Sequence, residues 1–485
     1  MIVDLGSQSP GELPAFDVCI AGAGVAGLTI ALQLAARGRS VALIEAGDRN
    51  GGSASQAFYR GDNTGVENLP LDQTRLRMLG GSSNHWGGWC RLLDPYDLAR
   101  TDLTGAAWPI TTDDLAPYAA KAASILGVNA QSASSDLPLD DGAGNLQTIR
   151  MLFSQPPAHL GDRFYDALEM TPNLTLFVNA AVTELELDAA QSRVTGMTVR
   201  SPAAGGGFVA RGTQYVLALG SVETARMLLL WNRTYGDRIA NPKLIGRYYL
   251  QHLHQSLGQF VVLDGGGAPS AAAPNADNVF LASTEAYLRT SGSGAFRLYS
   301  TGIACGGLAN ELSAVASTAT CTAITGGGEL FITGEQMPNA NSHVEFSGEA
   351  DAFGLPRARL DWEITERDAA MLRQAALEFG RYLVRANLGR LKVNPVVLDG
   401  AAPLTGWSKL PSAPGAAGHQ MGGMRMSQTA DDGVTDPQCR LWNVDNLYVG
   451  GSGVFRTCGH ANPTLTLTQL ALRLADTLDA RLAAP

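Results

Sequence analysis

Apolar positions in this chain gather in short runs, and their period changes along the sequence. Phe16-Asp17-Val18-Cys19-Ile20 reads as a strand, residues 28–37 as an amphipathic helix, and Val41-Ala42-Leu43-Ile44 as a second strand ending in Glu45. Gly22-Ala23-Gly24-Val25-Ala26-Gly27 joins the first strand to the helix. A loop-rich segment, 48–71, follows. In residues 75–88, four glycines and two serines predict backbone wrapped closely around something flat or phosphorylated. Residues 113–126 predict a helix capped by Thr112 or Asp113, and 129–145 a polar loop. Strand patterns then cover 174–178, 182–187, 194–200 and 215–219. The last enters Gly220-Ser221 and a helix over 222–231, a second strand–glycine–helix unit expected to complete the first sheet.

Residues 264–275 read as an exposed loop. Alternation at 329–332, 342–346 and 359–362 predicts an antiparallel sheet with one face on a core, beside a long helix over 366–388. Residues 401–418 form another loop rich in proline, glycine and alanine. From His419 the chain is expected to return to the first domain, with a strand at 446–449 and a last helix reaching about residue 480. The fold class that follows is α/β: a Rossmann-like domain with a second, α+β domain built on an antiparallel sheet. A chain of 485 residues exceeds one compact core. The expected division is 1–254 with 415–485 for the nucleotide-binding domain and 255–414 for a substrate-binding domain.

Each glycine of the first turn has a separate use. Gly22 permits the tight turn, Gly24 lets a pyrophosphate approach the backbone, and Gly27 lets helix and strand pack closely. Phosphates would sit on the positive end of the helix, and Glu45 is placed to accept hydrogen bonds from a ribose. The whole βαβ setting points to an ADP-containing cofactor. The bland alternative is a glycine-rich turn without a ligand.

Composition changes this picture little. Hydrophobic residues at 45% and charged residues at 16% describe an ordinary globular protein. The net charge of −10 argues against a nucleic-acid partner or an anionic membrane surface. Residues 18–36 are uncharged and long enough to resemble a membrane span, but the spaced glycines and the β-rich start fit strand, turn and helix better. The cysteines at 19, 90, 305, 321, 439 and 458 include no CxxC pair and read as reduced thiols. With the first basic residue at Arg37, no signal pattern is present, and a cytoplasmic protein is expected. No metal site is predicted.

Near the C-terminus, Gly418-His419-Gln420-Met421-Gly422-Gly423-Met424-Arg425-Met426 holds a histidine in a glycine-rich turn. Gly450-Gly451-Ser452-Gly453-Val454-Phe455 follows the strand at 446–449, and Gly459-His460-Ala461-Asn462-Pro463-Thr464 opens the last helix. Read in order with GAGVAG and Glu45, LGGSSNHWGG, LALGSVETARMLLL and IGRYYLQHLH, these segments resemble the glucose–methanol–choline (GMC) oxidoreductases, which use FAD. The closing segment is most similar to the sugar-oxidising branch that includes pyranose oxidase and the bacterial glycoside and gluconate dehydrogenases.

The resemblance implies that FAD is held by Gly22, Gly24, Gly27, Glu45, Gly81, Ser82, Asn84, His85, Val182, Gly220, Gly453, Pro463 and Thr464. It implies that His419 is the active-site histidine and Asn462 the second member of a His–His or His–Asn pair. Alcohol oxidation removes a hydroxyl proton and a hydride from one C–OH unit. The hydride goes to flavin N5, an imidazole accepts the proton, and a neutral amide bonds the oxygen without competing for that proton. The helix after Pro463 would turn its positive end to the flavin. Asn-Pro is also an ordinary cap and first-turn pair.

In the branch that includes pyranose oxidase, the histidine matching His85 bonds covalently to the flavin methyl carbon. Here a covalent bond and simple packing at the ring edge both stay open, with Asn84 in place of threonine. His460 is expected to be structural or solvent-facing. His252 and His254 are expected in the connection to the second domain, in structural roles. Gln420 stands where the family usually has proline, and Gly423 where threonine is common. These departures put the loop conformation and the substrate in doubt.

The activity implied is FAD-dependent oxidation of a CH–OH group, of a sugar or glycoside, to a carbonyl. Trp86, Trp89 and Trp407 are candidate surfaces for sugar rings or core residues. Rival readings are a non-redox lyase that retains FAD, an oxidase of a steroid or secondary metabolite, and a non-catalytic binding protein. Oxygen, a quinone and a redox partner protein are all open as electron acceptor.

Overall fold

The computed structural model describes residues 1–66, 68–128, 137–139, 143–204, 206–263, 279–302, 324–399 and 418–484. Six parallel strands form the first sheet, in the order Ile2–Asp4, Leu174–Val178, Val41–Ile44, Phe16–Ala21, Gly212–Leu217, Leu447–Val449. Val18, Cys19, Ile20 and Ala21 have no exposure, as suits a strand covered on both faces. From Phe16–Ala21 the chain passes through the helix Val25–Ala35 to Val41–Ile44 on one side, while Gly212–Leu217 lies on the other. The glycine turn therefore sits where strand order reverses, the usual ligand position in such sheets. The second strand–glycine–helix unit does join this sheet, and its helix is Ser221–Thr234.

A seven-stranded antiparallel sheet forms the second layer. Its order is Gly389–Val393, Leu253–Leu263, Ile324–Gly334, Phe296–Gly302, Val279–Ser283, Leu146–Arg150, Leu137–Pro138. Helix Glu366–Arg385 packs on it, started by a capping box between Thr365 and Asp368. The single antiparallel sheet expected from 329–332, 342–346 and 359–362 is in fact two. His343–Ala350 and Pro356–Trp362 leave the large sheet and pair with each other, and Pro356–Trp362 takes Asp62–Gly65 as a parallel neighbour on its other edge. The diversion occurs at Gln336-Met337-Pro338. Pro338 has no ladder donor. The buried Gln336 amide accepts from Gln251 N–H (2.8 Å) and the Trp362 indole (3.0 Å), and donates to Glu363 O (2.9 Å).

The helix expected over 113–126 is broken. Thr112–Leu115 is capped by Thr111 with Asp114, Ala116–Tyr118 tightens at Pro117, and Ala119–Leu126 resumes. Trp407, Cys305, Cys321 and the loops expected at 264–275 and 401–417 lie outside the described residues. Among the described residues, no helix is long and apolar enough to cross a membrane, and no cluster of His, Cys, Asp or Glu could hold a metal ion.

Candidate active site

Three helices aim their N-termini at one cavity of about 760 Å³. They are Val25–Ala35, Ser221–Thr234 and Thr464–Ala483, and their caps Gly24, Gly220 and Pro463 all line it. Such ends favour anions. The volume lies within the ~300–1,000 Å³ usual for ligand sites. A methyl group added at Gly24 or Gly220 would meet no protein atom within 4 Å, so both backbones face open space. At Gly27 it would lie 1.9 Å from Gly22 O, so this glycine serves helix–strand packing behind the wall. Glu45 accepts from Ala23 N–H and Gly47 N–H, both at 2.9 Å, and keeps lone pairs for a ribose.

Of the residues expected to hold the cofactor, Gly22, Gly24, Glu45, Gly81, Ser82, His85, Val182, Gly220, Pro463 and Thr464 line the cavity. Gly27, Asn84 and Gly453 do not. Asn84 turns its amide to Leu79 O (2.9 Å) and Gly81 O (3.0 Å) and shapes the loop from within. Gly453 is blocked by Met424, whose methyl would lie 2.4 Å from an added Cβ, and Gly450, Gly451 and Ser452 take its place at the surface. These backbones and helix ends fit FAD: a cradle open at Gly24 and Gly220, an acid at Glu45, and a long lining that continues to His419 and Asn462.

His419 and Asn462 meet in this cavity. Asn462 Nδ2 is 3.1 Å from His419 Nε2. Asn462 does not cap the following helix, which has no side-chain cap. Its Oδ1 instead accepts from Arg297 Nη1 at 2.7 Å. On the other side, His419 Nδ1 is 2.8 Å from His252 Nδ1, and His252 Nε2 is 3.0 Å from Gly459 O. The backbone sets this contact. Tyr249–Leu250 pairs antiparallel with Met421–Gly422, and the same register extended two residues puts His252 opposite His419. Close approach there needs Gly422, where a Cβ would lie 2.1 Å from Tyr248 O.

The two ends of this chain of bonds fix its direction. Arginine only donates, so Asn462 turns Oδ1 toward Arg297 and its NH₂ toward His419. A carbonyl only accepts, so His252 carries its proton on Nε2 and receives from His419 through Nδ1. His419 is thus the Nδ1–H tautomer, with a lone pair on Nε2. Burial and the Arg297 charge pull its pKa down to about 3, and burial does the same to His252, well below 6.5. Both rings are neutral at physiological pH.

A family model described as "GMC oxidoreductase" matches residues 338–471, and one described as "FAD dependent oxidoreductase" matches 17–230. The chain belongs to the GMC family of FAD-dependent oxidoreductases. This GMC oxidoreductase binds FAD and oxidises a CH–OH group of a small molecule. It is 24% identical to the 2-methyl-1,2-propanediol dehydrogenase of Mycolicibacterium austroafricanum over 96% of this chain and 95% of that one. It is 36% identical to the C-glycoside 3-oxidase of Arthrobacter globiformis over 25% and 21% of the two chains. The fold is similar to formate oxidase of Aspergillus oryzae, with a TM-score of 0.59, 17% identity, and coverage of 98% and 99%.

Three residues of this GMC oxidoreductase were not expected at the site. His252 touches His419, while His254 and Arg297 line the cavity. A signal existed for the first two: His252-Leu253-His254 alternates, so both rings face one side, and they stand 6.4 Å apart. His460 is not solvent-facing but 2% exposed, 3.5 Å from Asp94 at a separate small cavity. Trp86 and Trp89 do line the main cavity. Trp86 donates to Ala158 O, and Trp89 stacks on Phe153.

Proposed function

We propose that His419 Nε2 accepts the hydroxyl proton while Asn462 Nδ2 bonds the same oxygen, in the oxidation of a sugar or other polyol-like alcohol. The observation that carries this is the directed chain from Arg297 to Gly459 O, which leaves a lone pair on His419 Nε2 and an N–H on Asn462 facing it. Bound FAD supplies the hydride acceptor. A substrate hydroxyl entering between Nε2 and Nδ2 would donate to the first and accept from the second, exchanging one 3.1 Å bond for two. Burial and the Arg297 charge hold the pKa of His419 below its ordinary value, so the ring is unprotonated at physiological pH. The positive charge of Arg297, one residue removed from the reacting oxygen, favours negative charge developing there. The carbohydrate reading draws on the C-glycoside 3-oxidase relative and on Trp86 and Trp89 at the cavity.

Replacing His419 by alanine tests the role. Anaerobic flavin reduction by a sugar substrate should slow by about 10²–10⁴-fold while FAD stays bound, and unchanged reduction overturns it. His85 lines the cavity, is kept uncharged by burial, and has no side-chain hydrogen bond among the described residues, which favours the covalent reading over packing alone. Flavin released into the supernatant on acid precipitation overturns that bond. The electron acceptor and a cytoplasmic setting belong to the same proposal. The described cysteines, 19, 90, 439 and 458, are buried and unpaired, which supports that setting.

A further inference from the structure

The antiparallel sheet presents one polar rung to the cavity. His254 pairs with Thr333, and Thr333 with Arg297, so three side chains stand in a row across adjacent strands. All three line the cavity with His419 and Asn462, and Tyr299, two residues beyond Arg297, shares the face. Arg297 is 7% exposed, and among the described residues no carboxylate acts on it. Its Nη1 is spent on Asn462 Oδ1 and His460 O, and its Nε is buried without a partner. Burial lowers it only to about 10, so it stays a cation. His254 Nε2 is likewise buried and unpartnered, and its Nδ1 lies 3.4 Å from Thr333 Oγ1.

A buried, unbalanced guanidinium is costly unless a counter-charge arrives. A neutral polyol needs acceptors as well as donors around its hydroxyls. Among the described cavity-lining residues only Glu45 is a carboxylate, and it stands at the glycine turn after Val41–Ile44 rather than on the antiparallel sheet. The sheet side of the cavity is therefore rich in donors and lacks carboxylate acceptors.

We infer that Arg297, with Thr333, His254 and Tyr299 beside it, forms a subsite for an anionic group, so that the substrate is a hydroxy acid whose carboxylate lies close to the CH–OH being oxidised. This rests on the reading of His419 and Asn462 as the oxidation site. FAD-loaded protein is mixed anaerobically with gluconate and glucuronate, and with glucose and methyl glucoside as neutral counterparts. The acids should reduce the flavin with kcat/KM about 10- to 100-fold higher, the scale of a charge-assisted hydrogen bond in a dry site. Arg297→Met should erase the preference, and Arg297→Lys should keep most of it. Acetate, which cannot be oxidised as an alcohol, should perturb the flavin absorbance of the wild-type protein saturably and leave Arg297→Met unaffected.

Equal or better kcat/KM for the neutral sugars, with no acetate response, overturns the subsite and leaves the oxidation reading standing. An acetate response that depends on Arg297, with no flavin reduction by any of the four compounds, supports the subsite and overturns the role of His419. Loss of FAD from Arg297→Met would expose a folding defect, in which case the acid-to-neutral ratio of Arg297→Lys and of Tyr299→Phe decides. A ratio unchanged in Tyr299→Phe and about 1 in both Arg297→Lys and wild type overturns the inference.

Discussion

His252→Leu would remove the acceptor that holds the proton of His419 on Nδ1. The contact is 2.8 Å, and His252 is 1% exposed, so water cannot take the vacated place. The Nδ1–H tautomer then loses one buried hydrogen bond, worth about 1–3 kcal/mol when its partner is left unsatisfied. The Nε2–H tautomer, which cannot accept the substrate proton, gains by the same amount. Flavin reduction should slow by about 5- to 150-fold, with the loss in kcat rather than KM. His252→Asn, whose oxygen can stand near the position of Nδ1, should recover most of the rate. Stopped-flow absorbance under anaerobic conditions measures it, with the flavin-to-protein ratio as a control for folding. The double variant with His419→Ala should be no slower than His419→Ala alone, because His252 acts through His419. Wild-type reduction by His252→Leu, or full additivity in the cycle, would refute the tautomer argument.

Other outcomes follow from the same geometry. Gly24→Val puts a side chain into the open space proposed for the cofactor, and the protein should purify without yellow colour at near-normal stability. Gly27→Ala forces a Cβ to 1.9 Å from Gly22 O and should lose both FAD and several degrees of Tm, read by absorbance and calorimetry. His252, His254, His419 and His460 all have pKa values lowered from 6.5 by burial. The unfolded chain takes up protons below 6.5 that the folded chain refuses. Stability is therefore complete above 6.5 and falls as pH drops toward the folded values, by about 1.4 kcal/mol per pH unit for each histidine. Denaturant titrations from pH 7.5 to 4.5 should show a shallower slope for His460→Leu, and an equal slope counts against the assignment.

The parts legible in the sequence are those made by neighbours in the chain. Strand, glycine turn, helix, strand and acid occupy residues 16–45, and their contacts are local, so period and turn chemistry suffice. The sheet at the cavity is different. Residues 329–332, 342–346 and 359–362 share one alternating pattern, yet the first joins a seven-stranded sheet, while the other two pair with each other and the last of them with Asp62–Gly65. Alternation reports a half-buried face but not which strand lies beside it. Gln336 decides the split through bonds to residues up to 85 positions away. Asn84 and Gly453 show the same limit at finer scale. Their motifs lie on the cavity wall, but which residue of a tight loop faces inward depends on one turn of backbone.

The orientation of the proposed catalytic pair was the least legible part, and for a physical reason. A histidine has two tautomers and an asparagine two amide orientations, so the bare pair His419–Asn462 has four states, of which two form a hydrogen bond and only one of those leaves the lone pair on His419 Nε2. Choosing it needs a donor that can never accept at one end and an acceptor that can never donate at the other. Those groups are the Arg297 guanidinium, from the antiparallel sheet, and the carbonyl of Gly459, whose segment is pinned by Gly459 N–H to buried Glu335 at 3.0 Å. Neither belongs to a motif containing His419. The selection exists only when strand Phe296–Gly302, the turn at 418–422 and the segment before Thr464 are packed together. A variant that loosens the second layer, such as Glu335→Gln, should therefore lower kcat without touching any residue that meets the substrate. Retention of full kcat by that variant would mean that the pair holds its orientation unaided.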